Sequence, residues 1–104
     1  MHTLVANDVH YLSFYIMEKD GLTGSLTYFD LSDVDSLVFR MKRYGATSPA
    51  IESTMEIVDS TLGLCRVKVT VPPSGKYYSE IEVRIGGQTI TWLGEIYEVV
   101  REIG

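Results

Sequence analysis

Residues 77 to 85 alternate strictly along the chain. Tyr77, Ser79, Ile81, Val83 and Ile85 fall on one parity, and Tyr78, Glu80, Glu82 and Arg84 fall on the other. A period of two belongs to a β-strand with one face on a core and the other in water. The pattern recurs in "LVFRMKR" (37–43), where Leu37, Phe39 and Met41 oppose Val38, Arg40 and Lys42. It recurs again in "LCRVKVTV" (64–71), with Cys65, Val67, Val69 and Val71 inward and Arg66, Lys68 and Thr70 outward. In "AIESTMEIV" (50–58) it places Ile51, Met55 and Ile57 together, opposite Glu52, Thr54 and Glu56.

Shorter runs complete the set: "HYLSFYIME" (10–18), "SLTYFDL" (25–31), "QTITWL" (88–93) and "EIYEVVREI" (95–103). Ile96 and Val99 are also three apart, which admits a short helix, but the β-branched content favours a strand. Turn residues separate the runs: Asp20-Gly21, "SDVDS", "YGATSP", "DSTLG", "PPSG" and Gly86-Gly87. About eight short strands without a long amphipathic helix predict an all-β fold. The expected form is an immunoglobulin-like antiparallel β-sandwich of seven to eight strands, with a small barrel as the second arrangement. The likeness is one of strand count, because the chain has no cysteine pair and its one tryptophan, Trp92, comes late.

A chain of 104 residues is one domain with a single core. No apolar run approaches the ~20 residues of a membrane span, and "MHTLVANDVHYLSF" lacks the features of a signal peptide. The expected setting is therefore the cytoplasm, or a particle assembled there, with no membrane partner. Nine Lys and Arg against fourteen Asp and Glu give a net charge of −5, which disfavours a nucleic-acid partner. The one basic cluster is Arg40, Lys42 and Arg43.

Candidate chemistry is sparse. Asp30, Asp33 and Asp35 have enough oxygen for calcium, but lack the glycine bend and bidentate Glu of a calcium loop; turn capping explains them better. Glu80 and Glu82 have the spacing of a glycosidase carboxylate pair, yet on an open sheet face. Pairing with Arg66 or Lys68 on a neighbouring strand is the expected role. His2, in an expected loose terminus, and His10 are the only histidines, and single Cys65 sits where a core residue is needed. "GGQT" opens no helix and so makes no phosphate loop. No catalytic group, metal site or cofactor is expected. Outward tyrosines such as Tyr78 suit either a protein interface or a sugar platform.

Three segments taken in order, "FDLSDVDSLVFRMKR", "IVDSTLGLCRVKV" and "PPSGKYYSEIEVRI", carry a resemblance. Over about residues 12–100 the chain resembles the immunoglobulin-like N-terminal domain of bacteriophage baseplate upper proteins, which recurs in phage and prophage tail and fibre proteins. The resemblance implies a structural, non-catalytic virion component of the tail or baseplate, whose partners are other tail proteins. It carries no active site across. The alternative is a carbohydrate-binding module of a tail fibre or host-surface adhesion domain; an enzyme accessory domain is a third reading.

The C-terminal run has apolar residues on both parities, Ile96 and Val100 against Tyr97, Val99 and Ile103. Read as an edge strand, it has one apolar set more than its own core needs. Tyr97, Val99, Val100 and Ile103 are therefore the candidate interface, and a homo-oligomer is the simplest partner that a symmetric tail implies; the other reading is a strand sandwiched within its own fold.

Overall fold

The computed structural model describes residues 2–101, and Ile103 lies outside the described residues. Among them are ten strands and no helix: β1 (His2–Val5), β2 (Val9–Tyr15), β3 (Met17–Lys19), β4 (Leu26–Tyr28), β5 (Ser36–Arg43), β6 (Ile51–Thr54), β7 (Glu56–Asp59), β8 (Leu64–Thr70), β9 (Gly75–Ile85) and β10 (Gln88–Val100). They form a five-stranded sheet in the order β1-β10-β9-β5-β6, a three-stranded sheet β2-β8-β7, and the two-stranded hairpin β3-β4. Every pairing is antiparallel except β1 with β10, which is parallel.

The long alternating runs bury the parity their sequences assign. Leu37, Phe39 and Met41 of β5, Cys65, Val67 and Val69 of β8, and Tyr77, Ile81 and Val83 of β9 are all buried. Phe14 of β2 stacks on Phe39 of β5 with centroids 5.6 Å apart, so the larger sheets share one core. The fold is all-β and compatible with a sandwich. Tyr77 is buried and its hydroxyl donates to the Pro73 carbonyl at 2.6 Å, which satisfies its one polar atom. Gly86 and Gly87, with φ of 55° and 80°, form the two-residue turn between β9 and β10 that needs positive φ at both positions.

The structure departs from the alternation in four places. The run 10–18 breaks at buried Ile16, where the chain leaves the three-stranded sheet for the small hairpin. The run 50–58 breaks at buried Met55, so β6 joins the five-stranded sheet and β7 the three-stranded one. Ile57 consequently does not share the inward face of Met55; it is 40% exposed on an edge strand. At Gly94 the chain does not end a strand: the register shifts between Leu93 and Ile96, a bulge within one long β10. Finally, His2 is not in a loose terminus, because His2–Val5 pairs with Tyr97–Val100.

Of the two readings of the C-terminal run, that last pairing favours the strand sandwiched within its own fold. Over Tyr97–Val100, β10 lies between β1 and β9, and Tyr97 and Val99 face the chain's own core, 3% and 2% exposed. Neither is free to meet a second chain. Val100 is half-buried beside its β1 partner Val5, and Ile96 is left exposed on the other parity.

Candidate docking surfaces

Most residues with candidate chemistry are engaged by partners within the chain. Asp30 Oδ1 accepts from the backbone N–H of Ser32 at 2.8 Å and from its hydroxyl at 2.6 Å. These bonds hold its carboxyl below the usual carboxylate range. Asp35 uses its backbone N–H on the Arg84 carbonyl at 2.7 Å. Among the described residues no three His, Cys, Asp or Glu side chains are grouped to hold a metal ion.

Glu80 and Glu82 meet Arg40, not Arg66 or Lys68, because β9 neighbours β5 while β8 lies in the other sheet. Arg40 Nη1 is 2.6 Å from Glu82 and 3.9 Å from Glu80, and its Nε is 2.5 Å from Glu52. Arg84 Nε adds a 3.0 Å bond to Glu82. Bonds from Arg40 first and Arg84 second hold the Glu82 carboxyl below its ordinary value. Three carboxylates thus surround the first cation of the expected basic cluster, and Arg43 is turned to the Ser74 carbonyl. Arg66 pairs instead with Glu56 at 2.9 Å, and its guanidinium lies 4.8 Å from the Tyr11 ring centre.

A cleft of about 400 Å³ opens between β1 and β2, with Leu4, Phe14 and Tyr97 in its walls. His2 Nε2 faces Glu95 at 3.4 Å there. Thr3 and Ser13 line the same cleft. Among the described residues no hydroxyl of the cleft is hydrogen-bonded to a base. Cys65 is buried, and burial pushes its thiol up to about 11, as a core residue requires.

The exposed apolar surface lies elsewhere. The β3-β4 hairpin is an arm closed at its base by the Phe29 N–H bonded to the Ile16 carbonyl at 2.9 Å. Its tip is shaped by Asp20, whose Oδ1 accepts from the N–H groups of Leu22 and Thr23 at 2.7 and 3.1 Å. Leu22 is 99% exposed on this tip, Leu26 is 63% exposed and Tyr28 50%. Tyr15 sits beside Tyr28 with ring centres 5.9 Å apart and planes tilted by 44°. Trp92 fixes the arm to the body: its Nε1 donates to the Met17 carbonyl at 3.1 Å, and its ring meets Phe29 edge-on at 5.0 Å.

The alternation did not mark this arm. Residues 25–31 read as a strand of the main fold, whereas only Leu26–Tyr28 form β4, and all three are exposed. The available signal was Leu22, an apolar residue inside a turn whose neighbours are all turn formers. The chain matches no protein-family model and no curated protein.

Proposed function

We propose that this chain is a non-catalytic structural domain of a phage or prophage tail, which works by docking to other tail proteins through the β3-β4 arm. The observation that carries the reading is the arm itself: Leu22, Leu26 and Tyr28 project into solvent from a hairpin whose base is hydrogen-bonded and packed. Ordered apolar groups on a projecting hairpin add no stability to the chain's own core. They gain burial only against a partner, where an exposed apolar patch is covered and tyrosine is a favoured contact residue.

An immunoglobulin-like topology belongs to the same proposal. Its support is the sheet pair around one core and Tyr77, whose hydroxyl bonds back to the Pro73 carbonyl, as corner tyrosines do in such sandwiches. The carbohydrate-binding alternative draws on Tyr15 and Tyr28, but their 44° tilt gives no flat platform for a sugar ring.

Gold-labelled antibody against the chain, applied to particles from a strain that encodes it, tests the proposal. Label confined to tails is the expected result. Unlabelled particles together with a strong signal on a glycan array would replace it with the carbohydrate reading.

A further inference from the structure

A second surface, independent of the arm, lies along β10. β1 covers β10 only from Tyr97 to Val100, and among the described residues no strand pairs with the same side of Gln88–Leu93. The Gly86-Gly87 turn sets which backbone groups this leaves open. A two-residue turn bonds the carbonyl of Ile85 to the N–H of Gln88, so Gln88, Ile90 and Trp92 spend their backbone groups on β9. By the same alternation Thr89, Thr91 and Leu93 direct N–H and C=O away from β9, toward the open edge.

Proteins blunt such edges with charge, proline, bulges or very short strands. β6 and β7 are four residues long, and β7 also carries a register shift. From Gln88 to Leu93 the edge has no charge and no proline, and the bulge begins only beyond it. The seven-residue β2 edge runs into the arm at Ile16, whose N–H and C=O are taken by Gly63 and Phe29. The β10 edge ends instead in an exposed turn.

We infer that this edge pairs antiparallel with the same edge of a second copy, about a two-fold axis through Thr91. In that register Thr91 faces its own mate, and Thr89 faces Leu93 of the second copy, so every open N–H and C=O of these residues finds its counterpart. On the inner face Ile90 meets Trp92 of the second copy, an aromatic–β-branched pair of the kind that favours strand pairing. Leu93, 84% exposed in the single chain, is covered. No like charges meet across the edge, although the chain carries −5. One six-residue edge buries less than a standard interface, so the dimer is a weak one.

Sedimentation equilibrium of the purified chain, up to about 300 µM, tests this together with a charge pair at the axis. Thr91→Lys and Thr91→Glu each place like charges opposite one another, and each weakens self-association at least tenfold. An equal mixture of the two variants restores it. Oxidation of Thr91→Cys gives a symmetric cross-linked dimer, and buried Cys65 does not compete. This readout stands even where a charged variant folds poorly. A wild-type chain that is monomeric throughout, a dimer unchanged in both charged variants, or cross-linking by Ser13→Cys on β2 but not by Thr91→Cys would each overturn the inference.

Discussion

Trp92 and Met17, 75 residues apart in the chain, are joined by a 3.1 Å bond from the indole Nε1 to a backbone carbonyl. This contact and the Phe29 ring against the same indole hold the projecting arm to the five-stranded sheet. Trp92→Phe keeps an aromatic ring and removes the donor. The expected cost is about 1 kcal/mol in denaturant unfolding, with faster amide exchange across Met17–Tyr28 than in the rest of the chain. Uniform exchange in the variant would mean the bond does not position the arm.

Gly63 supports the same base from the other side. Its φ is +62°, and an added Cβ would stand 2.5 Å from the Ile16 carbonyl oxygen and 2.8 Å from that of Phe29. These are backbone atoms that cannot turn aside. Gly63→Ala should therefore cost roughly 2–4 kcal/mol, more than a glycine freed of such contacts would. A melting temperature within a degree of the parent would show that the base can move.

Phe39 is fully buried between the sheets, stacked on Phe14. Phe39→Ala removes a ring from the centre of the core and is expected to cost about 3–5 kcal/mol. Thermal unfolding checks it, and an unchanged midpoint would contradict the register of β5.

The elements that could be read from alternation are those buried on one parity throughout: β5, β8 and β9. What alternation cannot register is a change of partner. Ile16 and Met55 are inward residues in unbroken patterns, yet each is where the strand leaves one sheet for another. Gly94 looks like a stop because glycine commonly ends strands, but here it falls in the bulge that lets β10 continue. β1 is four residues long and is defined by pairing with residues almost a whole chain away. The same nonlocal fact moved Tyr97 and Val99 from a supposed edge into the core. A separate nonlocal pairing, β9 with β5, gave Glu82 to Arg40, and no local signal says that β9 runs beside β5 and not beside β8.

Glu82 accepts bonds from Arg40 and Arg84, which lower its carboxyl below the ordinary 4.5. The folded state thus holds this group ionised more strongly than the unfolded chain does. Its contribution is whole above about pH 4.5 and is lost as pH falls through the lowered native value. Glu82→Gln should unfold more easily at pH 7 and show a flatter stability profile between pH 5 and pH 3 than the parent, both assignments read from denaturant melts across about that range. Parallel profiles for the two proteins would remove Glu82 from the acid response.

Docking through the arm, as proposed, is tested most directly by calorimetric titration of the purified chain with any tail protein found encoded beside its own gene. Leu22 and Leu26 project into solvent, so Leu22→Ser with Leu26→Ser should change folding stability by less than about 1 kcal/mol. The account predicts saturable binding to one such protein and at least a tenfold loss of affinity in the double variant, with the melting temperature retained. Equal affinity in parent and variant, or heat from none of the tail proteins, would contradict it.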